Sequence, residues 1–144
     1  HPVHKYSLER IQNKFLRYVA FKLGIPSTDV NYDYLLEVCQ LTTLERRRFM
    51  HDMTLFHRLL NNQLDCPSLL ARIDFRIPRM SVRSPLLFGV PFSPTNYLLN
   101  RPLHRLPRSA NLLLHLYPDF DFFCDSLSKL KTIISSSSNI NIIF

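Results

Sequence analysis

Asp119 and Asp121, separated by one residue, are the tightest carboxylate pair in the chain and the first candidates for chemistry. Two-metal nucleotidyl transfer uses carboxylates of this kind, converged on ions about 3.5–4 Å apart. No third acidic residue accompanies them in a predicted strand, and the dipole of a following helix favours acidic residues at its start in any case. We therefore interpret the pair as a helix-terminal feature and predict no catalytic residue there.

Cys39, His51, His57 and Cys66 are the side chains that could be considered as metal ligands. The two histidines are six residues apart, about 600° around a helix, and so lie on different faces. No C-x-x-C pair is present, which excludes a zinc ribbon or knuckle by spacing. We predict no metal site. The cysteines, with Cys124 as the third, are odd in number and far apart, which fits a reducing, intracellular setting better than a disulfide framework.

The motifs of several enzyme classes are missing from the sequence. It contains no G-x-S-x-G, P-loop, G-x-G-x-x-G or H-E-x-x-H, and with only two glycines it has almost nothing from which to build a phosphate-cradling loop. A small stand-alone enzyme is disfavoured because no convergent acid–base set is visible. We predict that the isolated chain is not an enzyme, has no cofactor and takes no small-molecule substrate.

Positive charge is the strongest chemical signal. The chain has a formal net charge of +7, and residues 72–108 contain seven arginines, no lysines and one acid, a local charge of +6. Arginine suits bidentate contact with phosphates and stacking on bases. The alternative is a solubilising surface that is basic without a partner.

Two further groups of cations lie on predicted helices. Arg10, Lys14 and Arg17 share one face of the first helix, and three arginines at 46–48 open a later helix, where they oppose its dipole and so suggest an anionic partner. The alternative for the second group is pairing of Arg47 and Arg48 with Asp52. The predicted phosphate contacts, which give affinity without base specificity, are Arg10, Lys14, Arg17, Arg46, Arg47, Arg79, Arg83, Arg101 and Arg105.

The first element that positions these residues is a helix predicted near 7–23, with Ser7 as N-cap and Gly24 as its end. Its cations and Phe21 lie on one side. The predicted buried face, at helical spacing, consists of Leu8, Ile11, Phe15, Val19 and Leu23.

Three more helices are predicted near 31–39, 44–61 and 67–71, which completes a helical part at 1–71. The helix at 44–61 has Thr42 and Glu45 at capping-box spacing. It ends near two asparagines, a residue type that tolerates left-handed backbone geometry. Its continuous apolar stripe consists of Phe49, Met53, Phe56 and Leu60.

The remainder is divided by proline. Residues 72–101 form a Pro/Arg-rich irregular arm with at most a short hairpin, and 102–134 form C-terminal helices in which Pro107 must kink or split the first. Residues 135–144 are a frayed, serine-rich tail. No apolar run approaches the roughly 18–20 residues that span a bilayer, so no membrane partner is expected. The predicted fold is mainly α, a small array of about four to six helices.

Eight segments, in this order along the chain, resemble the C-terminal end of the reverse transcriptases of non-LTR retrotransposons, the jockey-like elements of insects and their relatives. The resemblance covers about residues 7–131. Its segments are SLERIQNKFLRY at 7–18, LERRR at 44–48, LLNN at 59–62, LDCP at 64–67, RSPLLF at 83–88, TNY at 95–97, RPLHRL at 101–106 and DSLSKLK at 125–131.

The resemblance implies a larger protein in which the polymerase palm lies upstream of this segment, and the start at His1 without an initiator methionine fits a fragment. The catalytic aspartates of the family, in an aromatic-Ala-Asp-Asp motif, have no counterpart here. The implied role is to help bind template RNA or target DNA beside the palm and thumb, in the cytoplasm and nucleus. The alternative is a structural or protein-interaction module whose apolar faces dock on the polymerase core.

Overall fold

The computed structural model describes residues 2–76 and 86–136. This part of the chain is mainly α-helical, as predicted, and its seven helices exceed the four to six expected. None of these helices is both long and apolar enough to cross a bilayer. In chain order they are α1 (Pro2–Lys22), α2 (Tyr32–Val38), α3 (Leu44–Leu60), α4 (Pro67–Leu70), α5 (Asn96–Leu99), α6 (Pro102–Leu116) and α7 (Leu127–Ser136).

The positions of α2 and α3 follow from residues that satisfy free backbone groups at helix ends. Asn31 caps α2, because its Oδ1 accepts hydrogen bonds from the N–H groups of Asp33 at 3.0 Å and Tyr34 at 3.3 Å. α3 begins at Leu44, and the hydroxyl of Thr43, one residue after the predicted capping residue Thr42, accepts the N–H of Arg46 at 3.3 Å. α3 ends, as predicted, with Asn62 in the left-handed region at a φ of 55°.

Other boundaries differ from those expected. α1 begins at Pro2 rather than near residue 7, and α7 continues to Ser136, into the predicted tail. α5 lies within the arm that was predicted to be irregular, and Thr95 caps it by accepting the N–H of Leu98 at 3.3 Å. α6 is one helix despite Pro107, which is buried inside it, so the predicted split does not occur.

The described residues fall into two compact units, 2–48 and 49–136, with the boundary inside α3. In the first unit, Leu16 and Ala20 of α1 are buried and pack with Leu35 of α2. The predicted buried face of α1 was wrong for four of its five residues, and the fifth, Val19, is partly buried and packs against this cluster. Leu8, Ile11, Phe15 and Leu23 are between 46% and 65% exposed, because apolar residues occupy more of the helix circumference than α2 covers.

The second unit contains the larger core. Phe56 of α3 is fully buried, with its ring edge-on to the rings of Phe88 at 4.9 Å and Phe122 at 5.7 Å between centroids. The predicted stripe on α3 is confirmed for its first three residues, whereas Leu60 is only half-buried. The buried hydrophobic residues of this unit are Phe49, Met53, Phe56, Leu59, Ile73, Phe88, Leu106, Ala110, Leu113, Phe120, Phe122, Leu130 and Ile134.

Phe75 and Phe88 form an isolated antiparallel bridge in the arm, for which at most a short hairpin was predicted. Between the two segments, the N–H of Arg76 donates to the carbonyl of Leu87 at 2.9 Å, and the N–H of Gly89 donates to the carbonyl of Asp74 at 2.7 Å. On the other side, the side chain of Asn111 in α6 accepts the N–H of Phe88 at 3.0 Å and donates to its carbonyl at 2.7 Å. Both backbone groups of this buried residue are therefore satisfied.

One polar side chain of α3 and one directly after its end contact the loop that precedes α7. His57, which is buried, lies with Nε2 2.9 Å from the carbonyl oxygen of Asp125, and Asn61 donates to the carbonyl of Phe122 at 2.8 Å. The imidazole Nε2 must carry the proton in order to donate to a carbonyl. This loop contains Phe120 and Phe122, so the two contacts fix aromatic residues of the core.

Candidate nucleic-acid interface

Helix α1 presents a row of exposed cations. Arg10, Lys14 and Arg17 are spaced i, i+4 and i+7, which places them on one line along the helix, and Phe21, 75% exposed, continues the line. We call these four residues the basic ridge. At a rise of 1.5 Å per residue it is about 16 Å long. Glu9, the acidic residue of α1, lies on the side that contains the buried residues.

Arg17 is the most constrained cation of the basic ridge. Its Nε donates a hydrogen bond of 2.7 Å to the hydroxyl of Tyr32, and its guanidinium carbon lies 6.0 Å from the centre of the same ring. The two terminal amino groups of the guanidinium take no part in this hydrogen bond. A side chain already held in one orientation loses less conformational entropy when it binds a ligand.

The end of α1 forms a tight turn that shapes the surface beside the basic ridge. Gly24, with a φ of 72°, donates to the carbonyl of Phe21 at 3.1 Å, and Ile25 donates to the carbonyl of Ala20 at 3.0 Å. This is the Schellman arrangement, which satisfies the last carbonyls of a helix and brings the following apolar residue back against it. Ile25 therefore lies next to Ala20, where the sequence predicted only a helix end.

The turn borders an open groove of about 550 Å³ in the first unit. Ala20, Ile25 and Val30 supply its apolar lining, and Arg17 and Phe21 of the basic ridge contribute to its wall. Ser27 and Tyr32 complete the lining with hydroxyl groups. Neither the groove nor the role of Tyr32 was predicted. The glycine and proline at 24 and 26 signalled a helix end, but the approach of 25–32 to α1 is a tertiary contact.

Two predicted phosphate contacts at the start of α3 are engaged elsewhere. Arg47 is half-buried, and its Nη2 donates to Oε1 of Gln12 at 3.2 Å, which links α3 to α1 within the first unit. Arg46 lines a smaller depression that it shares with two acidic residues, Asp33 and Glu37. Such neighbours lower the local positive potential, so neither arginine resembles the open cations of the basic ridge.

The predicted phosphate contacts after residue 72 lie in different surroundings. Arg105 forms an ion pair with Asp52, with Nε 2.7 Å from Oδ2 and Nη2 donating to Oδ1 at 2.8 Å, so Asp52 does not serve Arg47 or Arg48 as we had considered. Arg101 is exposed, with its guanidinium 5.2 Å from the ring centre of the exposed Tyr97. The remaining two predicted contacts, Arg79 and Arg83, lie outside the described residues.

The acidic residues before α7 support loop geometry. Asp121 Oδ1 accepts the N–H of Phe123 at 2.8 Å, and Asp125 Oδ2 accepts the N–H of Asp121 at 2.9 Å and the ammonium of Lys129 at 2.7 Å. The hydrogen bond from Lys129 lowers the pKa of Asp125. The hydrogen bond with Asp121 raises the pKa of the Cys124 thiol, which disfavours the nucleophilic thiolate. Within 2–76 and 86–136, no three His, Cys, Asp or Glu side chains are grouped as metal ligands.

A serine–histidine contact was not foreseen from the sequence. The hydroxyl of Ser93 lies 2.5 Å from Nδ1 of His104, and both side chains are partly exposed. Nucleophilic catalysis by such a pair needs a third group to orient the imidazole. Among the described residues, no carboxylate is hydrogen-bonded to His104, so we interpret the contact as a tie between the arm and α6.

The structure thus brings three of the nine predicted contacts, Arg10, Lys14 and Arg17, together with one exposed aromatic ring. Arg47 and Arg105 have structural partners, and Arg101 lies in the second unit beside Tyr97. Comparison of the chain with protein-family models, curated proteins and solved structures finds no match.

Proposed function

We propose that this chain is a non-catalytic region from the C-terminal part of a non-LTR retrotransposon reverse transcriptase, an RNA-directed DNA polymerase. Its role is to help hold template RNA or target DNA by the phosphate backbone. The observation that carries the binding role is the basic ridge, in which three exposed cations share one line of α1 and one of them, Arg17, is held in place by Tyr32.

The chemistry of the basic ridge favours backbone binding over base reading. Exposed Arg and Lys side chains neutralise phosphates and release counterions, which gives affinity independent of sequence. An exposed aromatic ring in the same line adds a surface on which any base can stack. Arg101 with Tyr97 is a second pair of this kind, in the other unit.

A salt series on single-stranded RNA and DNA tests the proposal. Fluorescence anisotropy should show binding whose log K falls linearly with log salt concentration. Replacement of Arg10, Lys14 and Arg17 together by glutamine should reduce that slope by about 2 units, because each phosphate contact to a single strand contributes about 0.7. An unchanged slope in this variant would refute the assignment to the basic ridge.

The matched control removes the same charge elsewhere. Arg48, Arg58 and Lys131 are exposed and lie outside the basic ridge, so their replacement by glutamine also lowers the net charge by three. We expect the slope to change by less than about half a unit in this control. An equal loss in both variants would mean that net charge alone, and not the alignment on α1, accounts for the binding.

The origin of the chain has its own test. Sequencing of the DNA upstream of the codon for His1 should reveal an in-frame palm segment with an aromatic-Ala-Asp-Asp motif. An upstream reading frame of another class would contradict the reverse transcriptase assignment and, with it, the intracellular location in cytoplasm and nucleus that we infer from the resemblance. The salt series would be unaffected by that result.

A second candidate function is docking on the polymerase core, and one observation favours it. Leu8, Ile11, Phe15 and Tyr18 are all at least 46% exposed on α1 and follow the 3-4-3 spacing of a helix-packing seam. We call this set the apolar row. It lies beside the basic ridge, not on the side covered by α2.

Docking and phosphate binding respond differently to salt. Association of the chain with a separately expressed palm–thumb segment should be nearly independent of salt if the apolar row carries it, and should be lost in Ile11→Glu/Phe15→Glu. Because both side chains are exposed, the variant should remain folded. Retained association in the double variant would exclude docking through this row.

A further inference from the structure

We infer that the groove beside the end of α1 receives an unpaired base of the bound strand, with the ring of Phe21 as its stacking surface. The inference rests on the proposed function, which assigns phosphates to the cations of α1 and a stacking surface to the exposed ring of Phe21. It deepens that function by naming the groove beside this ring as the site of the stacked base.

The first reason is that the groove and the basic ridge share residues. Arg17 and Phe21 belong to both, so a strand whose phosphates follow the cations of α1 has its bases within reach of the groove. Arg17 is fixed at this junction by its 2.7 Å hydrogen bond to Tyr32. A phosphate at Arg17 therefore places the attached nucleotide next to Phe21.

The second reason is the chemistry of the lining. Ala20, Ile25 and Val30 offer apolar surface, and Ser27 and Tyr32 also line the groove and carry hydroxyl groups, of which that of Tyr32 accepts the hydrogen bond from Arg17. A volume of about 550 Å³ lies within the range typical of small-ligand sites, roughly 300–1,000 Å³. A flat ring with polar edges matches such a lining, as a base does, whereas a phosphate alone does not.

The third reason is the exposure of Phe21. A phenylalanine that is 75% exposed at the rim of an apolar groove contributes little to the core of the first unit. Single-strand-binding proteins use exposed aromatic rings of this kind, because every base has a face on which they can stack. The geometry allows stacking without selecting one base over another.

The test compares strands with and without bases. We would measure the binding of a thymidine dodecamer and of a dodecamer of abasic sites to the full chain and to Phe21→Ala. Loss of one stacking ring should weaken binding of the thymidine strand roughly 5- to 150-fold. The variant should bind the abasic strand as well as the unchanged chain does, and its salt slope should be unaltered. Phe21→Trp should restore binding of the thymidine strand.

Phe92→Ala is the matched control, since Phe92 is 90% exposed and does not line the groove. We expect no change of affinity in this variant. Equal loss in Phe92→Ala and Phe21→Ala would overturn the inference, as would equal binding of both strands by the unchanged chain. Salt-dependent binding would then remain, so the proposed function would survive; absence of salt-dependent binding would instead refute the proposed function.

A free nucleotide could occupy the groove by the same contacts as a base in a strand. A competition experiment distinguishes these two ligands. Thymidine monophosphate should displace the thymidine strand only at concentrations more than about 100-fold higher than unlabelled strand, because it makes one phosphate contact instead of several. Displacement at equal concentrations would overturn the assignment to a strand.

Discussion

The two units of this chain use their apolar residues in opposite ways. Among the described residues, the first unit buries three hydrophobic side chains and exposes nine large ones, whereas the second buries thirteen and exposes seven. Apolar surface removed from water stabilises a fold by about 25 cal/mol per Å². The second unit is therefore where the stability of the chain resides, and the first, which carries the basic ridge, the apolar row and the groove, has most of its apolar side chains in contact with solvent.

The largest expected effect is on the second unit. Phe56 is completely buried between Phe88 and Phe122, so Phe56→Ala should lower the free energy of unfolding by about 3–5 kcal/mol. The denaturant midpoint measures this change. Phe92→Ala, at a 90% exposed site, should shift the free energy by less than about 0.5 kcal/mol. Similar changes in the free energy of unfolding of the two variants would contradict the conclusion that the core of the second unit stabilises the chain.

Asn111→Ala should have the next largest effect. It removes the partners of both the N–H and the C=O of Phe88, which are buried, and we expect a loss of about 2–4 kcal/mol. Asn100→Ala is the matched control, because the Asn100 amide donates to the Asn96 carbonyl at 2.7 Å but is exposed. Thermal unfolding of both variants would show whether the loss of stability is larger for the buried hydrogen bonds than for the exposed one. Equal stability of Asn111→Ala and the unchanged chain would contradict this prediction.

Leu16→Ala tests the first unit. Leu16 is fully buried but belongs to a small cluster, so we expect a loss near the lower end for such substitutions, about 2–3 kcal/mol. Hydrogen exchange should show loss of protection in α1 and α2 while α6 keeps its protection, because small units open locally. Equal deprotection of α6 would mean that the two units do not differ in the way their burial suggests.

The smallest expected effect is an increase in the free energy of unfolding. Gln40 follows α2 with a φ of 53°, a conformation that costs a residue with a Cβ about 1–2 kcal/mol. Gln40→Gly should therefore stabilise the first unit by about 0.5–1 kcal/mol after the greater chain entropy of glycine is subtracted. Asn62→Gly, at a φ of 55° after α3, should gain less, because asparagine tolerates this region. A larger gain at Asn62 would contradict the assignment of strain to Gln40.

Local signals in the sequence predicted α3 well and α1 only in part. α3 has a single narrow stripe of Phe49, Met53 and Phe56, so only one face can be buried. On α1, Phe15 and Leu16 are adjacent and both apolar, and the pattern alone cannot select between them. The choice is made by Leu35, which packs on Leu16 and leaves Phe15 half exposed.

The candidate site was predicted to the extent that charge is visible in a sequence. The alignment of Arg10 with Arg17 follows from helical spacing. The engagement of Arg47 by Gln12, 35 positions away, and of Arg105 by Asp52, 53 positions away, depends on tertiary contacts that no local pattern encodes. Both arginines had therefore been counted as free for phosphate.

The side chain of Asn111 has a consequence for the behaviour of the chain at high concentration. The Asn111 side chain engages both backbone groups of Phe88 on the side away from its bridge to Phe75, so a strand from another molecule cannot pair with Phe88 there. Unpaired edges of this type template aggregation. The side chain of Asn111 thus opposes fibrous self-assembly. In Asn111→Ala, we expect turbidity from aggregation to appear before any change in helix content.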